Sequence, residues 1–262
     1  MAFEIIDFHT HPFTCAENNI CAHKDVCDMD IQKTKEEFLS FGVSKICGSV
    51  VSTQKPEDGN YLSKIKKNND DALRLKEIYG SFYVPGFHVH PKFVDESVKE
   101  IHRMHEKGIR LIGELVPYLD GWDSYACDEF SCILEEAQKF NMVVSFHSSA
   151  DEDGMDALVK RHPNVTFVAA HPGEYNHVMR HLERMKMSEN YYLDLSGTGL
   201  FRYGVLRKLI DKSSAERILY GSDYPICNTS MFLGGVLWDN RIKDSEKEMI
   251  LSGNAKRILG IK

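Results

Sequence analysis

His9 and His11 stand two residues apart at the end of an apolar and aromatic run, and further metal-competent groups follow at His147, His171 and Asp223. Two residues is the side-chain period of a strand, so both imidazoles of the pair project to one face. Neutral imidazole nitrogens joined by a carboxylate form a donor set for a divalent metal; zinc is the first expectation, with manganese, iron or nickel as alternatives. A His-x-His pair by itself is also what two packed strand histidines produce. Its chemical meaning depends on whether the fold brings the other three groups to the same place.

Short β-branched or aromatic runs recur along the chain at residues 3–9, 45–51, 82–89, 109–115, 142–147, 165–170, 191–195 and 217–221, which makes eight predicted strands. Polar stretches with apolar residues at helical spacing lie between them, including 96–107, 129–140, 175–187 and 245–259. Alternation of this kind points to βα units and a parallel sheet. Val165-Thr166-Phe167-Val168-Ala169-Ala170 is apolar on both parities, as a strand covered on both faces must be. The expected fold is an α/β (β/α)₈ TIM barrel. At 262 residues the chain is close to the roughly 250 typical of that fold, so one domain over residues 1–262 is expected, with a long first loop at about 12–32.

Such barrels carry their chemistry at the C-terminal ends of the strands. His9 and His11 end the first predicted strand, His147 ends the fifth, His171 follows the sixth and Asp223 follows the eighth. All five therefore converge on one rim.

Ile6-Asp7-Phe8-His9-Thr10-His11-Pro12 resembles the Asp-x-His-x-His-Pro opening of the amidohydrolase superfamily, in particular its amidohydrolase-related branch. Ala170-His171-Pro172-Gly173 is similar to that branch's sixth-strand histidine motif, and Tyr220-Gly221-Ser222-Asp223-Tyr224-Pro225 to its eighth-strand Gly-Ser-Asp-x-Pro. With Ser145-Phe146-His147 the resemblance runs from the first strand to the eighth. It implies that His9, His11, His147 and Asp223 are metal ligands, and that His171 is either a ligand or a contact to water or substrate. Superfamily members with two metals often bridge them by a carboxylated lysine at the end of the fourth strand. Glu114 occupies about that place, as a bridging ligand, a substrate contact or the partner of a nearby cation; one or two ions are thus compatible with the sequence. Asp7 shares the parity of His9 one layer deeper and reads as a carboxylate that orients a ligand without binding metal, or as a barrel-floor hydrogen bond.

Other residues carry weaker signals. His88 and His90 repeat the same-side spacing after the third strand and are assigned to substrate contact, as is Arg202 after the seventh; Tyr118 and Trp122 after the fourth read as aromatic walls of the same pocket or as ordinary packing. His177 and His181, like His102 and His105, read as solvated helix faces, and His162 falls in a turn on the opposite, stability face. Cys15, Cys21 and Cys27 with His23 lack the close Cys-x₂-Cys spacing of structural zinc sites, so this loop is expected to fold over the barrel mouth.

Charged residues form 27% of the chain and the formal net charge is -7, without a basic block, which excludes the electrostatic footprint of a nucleic-acid binder. No apolar run reaches membrane-spanning length, and the first residues lack the basic-then-apolar order of a secretory signal. Seven cysteines, an odd number, suit free thiols in a reducing compartment, so a cytoplasmic location is the expectation. The partner expected is a small-molecule substrate; barrels of the branch are often homodimers, which no feature of this sequence tests.

A divalent metal in this donor set lowers the pKa of a bound water to about 7. The expected reaction is attack of that hydroxide on an amide, lactone or ester carbonyl, with Asp223 carrying the proton to the leaving group and His171 steadying the oxyanion. The alternatives are a zinc-dependent non-oxidative decarboxylase of aromatic or unsaturated acids, and a non-catalytic barrel that binds a metal or ligand.

Overall fold

The structure, a computed structural model, describes residues 3–23, 25, 29–56, 59–148 and 151–261. Eight strands follow one another: β1 (Ile5–Asp7), β2 (Val43–Ser49), β3 (Tyr83–Phe87), β4 (Leu111–Leu115), β5 (Val143–His147), β6 (Thr166–Ala170), β7 (Tyr191–Asp194) and β8 (Ile218–Leu219). Each pairs in parallel with its neighbour in sequence, in the order β1 to β8. The two ends then meet: Phe8 N–H donates to the Tyr220 carbonyl at 2.9 Å, Asp223 N–H donates to the His9 carbonyl at 2.9 Å, and Thr10 bridges Tyr224 in parallel. The sheet thereby closes, as a (β/α)₈ barrel requires.

The helices are α1 (Ile31–Ser40), α2 (Tyr61–Tyr79), α3 (Val94–Glu106), α4 (Pro117–Asp120), α5 (Asp128–Lys139), α6 (Glu152–Arg161), α7 (Tyr175–Met187), α8 (Val205–Lys212), α9 (Thr229–Leu237), α10 (Asp244–Glu248) and α11 (Asn254–Leu259), the last two joined by a π-helical turn at Met249–Gly253. Helical spacing decides which face each one buries. In α5 the buried side chains include Phe130, Ile133, Leu134 and Ala137, and in α8 they are Val205, Leu206, Leu209 and Ile210. Both sets repeat at three and four residues, the stripe that a helix lays on a sheet.

The strands bury both faces. Outward residues such as Ile46, Phe87, Ile112, Val144 and Phe167 pack under the helices. Inward residues Ile6, Cys47, Leu111, Val143, Val168, Tyr192 and Leu219, one from each of seven strands, form a second cluster inside the barrel, with Ala255, Ile258 and Leu259 of α11 closing it. That end of the lumen is apolar and plugged, so the polar chemistry is left to the other. After β1, the expected long loop contains a short 3-10 turn at Ala16–Asn18 before α1 begins. Cys27 lies outside the described residues. Cys15, Cys21, Cys47, Cys127, Cys132 and Cys227 are free, and no described helix is long and apolar enough to cross a membrane.

Candidate metal centre

The segments after β1 and β8 are stitched together by the His9 carbonyl and Asp223 N–H, which sets His9, His11 and Asp223 side by side. Glu114 projects from β4, His147 ends β5 and His171 follows β6. Asp223 and His171 have φ of 64° and 67°, the left-handed region that costs a non-glycine residue free energy. Their backbones leave the strand direction at the rim, which turns both side chains toward the centre. Gly197 makes room for one of them: a Cβ there, at φ +58°, would stand 2.2 Å from His171 Nδ1.

His9 Nε2 lies 3.2 Å from His11 Nε2, 3.6 Å from Asp223 Oδ1 and 3.4 Å from Glu114 Oε2. His11 Nε2 is 3.5 Å from Asp223 Oδ1 and 3.3 Å from Glu114 Oε2. These five separations can be compared with the edges of a tetrahedron. With metal–ligand bonds of about 2.0–2.1 Å, the ligand atoms of a tetrahedral zinc site are about 3.3–3.4 Å apart. His9, His11 and Asp223 therefore fit one small divalent ion, with Glu114 Oε2 within reach of the same two imidazoles. Glu114 turns its other oxygen to a second group, with Oε1 at 3.0 Å from His147 Nδ1 and 3.6 Å from His171 Nε2. Among the described residues, His9, His11 and Asp223 form one potential ligand group and Glu114, His147 and His171 the other.

The far ring nitrogens are anchored. His11 Nδ1 faces the Ser49 carbonyl at 3.2 Å, which can only accept, so that nitrogen carries the hydrogen and Nε2 presents its lone pair. His9 Nδ1 donates to Asp194 Oδ2 at 2.8 Å, and Ser196 Oγ lies 3.0 Å from His171 Nδ1 while donating to Asp194 Oδ1. Holding one imidazole nitrogen in this way fixes the tautomer and aim of the other.

The electrostatics favour a cation at the centre. Burial by itself would depress His9, but the carboxylates of Asp194 and Glu114 outweigh it and hold its pKa well above the usual imidazole value. His11 is likewise pushed up to about 9, against burial, by its hydrogen bonds to Asp223 and Glu114. Glu114, despite burial that would raise it, is held well below the carboxylate range by His9, His11 and His147. Burial lowers His171. Protons occupy these nitrogens where a metal would otherwise sit, so metal binding displaces them.

A family model described as amidohydrolase matches residues 6–261. The chain belongs to the amidohydrolase family. No curated protein matches the sequence of this amidohydrolase-family chain. Solved structures do share its fold. A 2,6-dihydroxybenzoate decarboxylase from Rhizobium is 15% identical with a TM-score of 0.77, covering 99% of each chain. A dihydroxybenzoic acid decarboxylase from Polaromonas, with bound manganese and 2-nitroresorcinol, is 15% identical with a TM-score of 0.71, covering 99% of this chain and 97% of its own. An amidohydrolase 2 from Bifidobacterium longum subsp. infantis is 14% identical with a TM-score of 0.66, covering 99% and 100%.

In this amidohydrolase-family barrel a cleft of about 550 Å³ opens above the centre, lined by His11, Glu114, His147, His171 and Asp223 together with Tyr118, Ile20 and Val51. Tyr118 stands edge-on to His147. Three other residues expected from sequence at the substrate pocket lie elsewhere. His88 and His90 are buried, with their Nε2 atoms on the carbonyls of Val50 and Asp120, and Trp122 packs against His90, Tyr125 and Phe130. His88 is held by Asn69 of α2 and His90 by the Asp120 carbonyl of α4, which keeps both rings out of the cleft lining. Arg202 sits outside the cleft lining, its guanidinium taken by Glu174 at 2.8 Å. Asp7 accepts the backbone N–H groups of His9 and Ser222, while the His9 ring is held by Asp194.

His177 and His181 do not form a solvated pair: His181 is fully buried, and His177 lines the cleft. Asp194, Ser196 and Ser49 were not singled out in the sequence. A carboxylate ending the apolar run Tyr191-Tyr192-Leu193 was the available signal for Asp194.

Proposed function

We propose that this protein is a metal-dependent hydrolase that opens an amide, lactone or ester bond of a small molecule. The observation that carries the reading is Glu114, whose two oxygens face two different donor groups and so could join two ions, a set-up suited to activating water beside a polarised carbonyl. The histidine and carboxylate donors suit zinc first, with manganese, iron or nickel as alternatives. When bound, such ions supply Lewis acidity to a carbonyl oxygen and to water.

The chain's own groups do the rest. Asp223 keeps Oδ1 toward His9 and His11, which leaves Oδ2 to take the proton of the attacking water and deliver it to the leaving group. His171 gives its Nδ1 hydrogen to Ser196 Oγ and so presents the Nε2 lone pair to the centre, where it would be a ligand or accept from water or substrate. Ile226, Met231 and Phe232 give the cleft an apolar wall that excludes water and accepts an apolar part of the substrate. No lysine or arginine is among the described lining residues, which speaks against a cleft built around a substrate carboxylate.

Decarboxylation of an aromatic acid is the second reading, favoured by the likeness to the Rhizobium and Polaromonas decarboxylases. Elemental analysis by plasma mass spectrometry tests the first: two metal equivalents in the wild type, falling to one in Glu114→Ala, support the two-ion hydrolase. A panel of amides, lactones and hydroxybenzoates then separates the reactions. Carbon dioxide released from the acids, with amides and lactones left intact, would overturn hydrolysis.

A further inference from the structure

A second cleft, of about 510 Å³, lies beside the first and differs from it in charge. Its walls are the 3-10 turn after β1, the segment after β2 and the first half of α2. Among the described residues they contribute three lysines, Lys55, Lys64 and Lys67, and no carboxylate, in a chain whose net charge is -7. The clefts are neighbours through the chain: Val51 lines one and Ser52 the other, and Lys64 Nζ donates at 2.7 Å to the carbonyl of Leu119, which lines the metal cleft.

Two buried donors face this space. The Lys64 side chain is only 7% exposed; its ammonium has three hydrogens, of which the Leu119 carbonyl and Asp120 Oδ1, at 3.0 Å, account for two. The third makes no hydrogen bond among the described residues, and the Tyr61 ring lies 5.9 Å from the ammonium. Asn68, one turn further along α2, is 3% exposed, lines the cleft and makes no side-chain hydrogen bond among the described residues. The amide keeps contact with the cleft and is open there to a ligand or to water. Lys64 and Lys67 bring their own counter-ions, Asp120 and Asp71. Lys55, exposed on the rim, has no ion-pair partner among the described residues.

We propose that this cleft is an anion site, in which the Lys64 ammonium and the Asn68 amide donate to the oxygens of a phosphate or carboxylate group and Lys55 closes over it. Such a group comes either from the far end of the substrate held in the metal cleft or from a separate small anion.

Titration of the metal-loaded protein with inorganic phosphate by calorimetry tests the site. Because phosphate also binds metal centres, it is run on wild type, Glu114→Ala, Asn68→Leu and Lys55→Ala. Loss of a hydrogen bond to a charged group corresponds to about ten-fold weaker binding. One phosphate class is expected to survive Glu114→Ala and to weaken about ten-fold in Asn68→Leu and several-fold in Lys55→Ala, with metal content and circular dichroism unchanged. Phosphate binding that is lost with Glu114→Ala and unaltered by the other two changes would overturn the proposal. The source is read from turnover. If the anion belongs to the substrate, substrates with a terminal phosphate or carboxylate lose their kcat/KM advantage over neutral analogues in Asn68→Leu. If it is a separate molecule, phosphate alters turnover of a neutral substrate in the wild type and not in that variant. Neither effect on turnover, together with no phosphate binding outside the metal centre, would also overturn it.

Discussion

At the scale of single residues, the metal centre depends on groups that do not themselves face the ion. Asp194 is fully buried and spends one oxygen on His9 Nδ1 and the other on Ser196, whose hydroxyl reaches His171. One carboxylate thus aims a histidine from each of the two donor groups. Removal of such a partner typically lowers metal affinity 10–100-fold. Asp194→Asn should therefore weaken zinc binding by about that factor in a chelator competition, while the fold, followed by circular dichroism, is retained. Unchanged affinity would mean that packing alone orients His9. His11, held up at about 9 without metal, adds a second expectation. A proton must leave it, and one must leave His9, whose value is also raised, before metal binds, so affinity rises with pH through about 9. The same competition repeated between pH 6 and pH 10 checks it.

At the scale of elements, α7 is tied to the sheet by a histidine that must stay neutral. His181 Nε2 faces the His171 carbonyl at 3.2 Å and so carries the hydrogen, while Nδ1 accepts from the Tyr191 hydroxyl at 2.7 Å. Burial, with the charge of Arg184 beside it, pushes this imidazole down to about 3. Because the folded value lies below the unfolded one of about 6.5, the unfolded chain takes up the proton first as pH falls. The stability this group contributes is whole above pH 6.5 and is lost progressively down to about pH 3. Lowering the pH to 5 should cost about 2 kcal/mol through this residue. The denaturant midpoint of the wild type should accordingly fall more steeply between pH 7 and 5 than that of His181→Gln. Parallel slopes would place the proton elsewhere. Arg184, also fully buried, is neutralised by Asp156 and Glu152 of α6, so α6 and α7 are joined by charge as well as by apolar packing.

At the scale of the whole molecule, the candidate centre gathers its donors from the ends of β1, β4, β5, β6 and β8, so an ion held there would connect distant parts of the barrel. Binding to the native state alone stabilises it by about 2.7 kcal/mol at a hundred-fold excess over Kd. For a chain of this size, removal of metal by a chelator should lower Tm by about 5–10 °C in differential scanning calorimetry, with recovery on adding zinc. A Tm unmoved by chelation would show that the barrel closes independently of the ion. The Phe8–Tyr220 and His9–Asp223 backbone bonds are the place where that coupling acts.

How much of this was legible in the sequence follows from how each residue does its work. The eight strands, the helices after them and the convergence of His9, His11, His147, His171 and Asp223 follow from local periodicity and from the rule that a parallel barrel gathers its strand ends. Those are properties of neighbours in the chain. Which of its readings Glu114 takes, Asp194 as the anchor of His9, and the inward positions of His181 and Asn68 depend on which side chains meet across the barrel, as His9 meets Asp194 across 185 residues of sequence. His88, His90 and Trp122 mark the same boundary. Their spacing puts them at a rim, but only their partners in the fold, Asn69 of α2, Asp120 of α4 and the Tyr125–Phe130 pair, turned them away from the cleft. Periodicity sets the face on which a side chain leaves its own element; what stands opposite depends on the closure of the sheet.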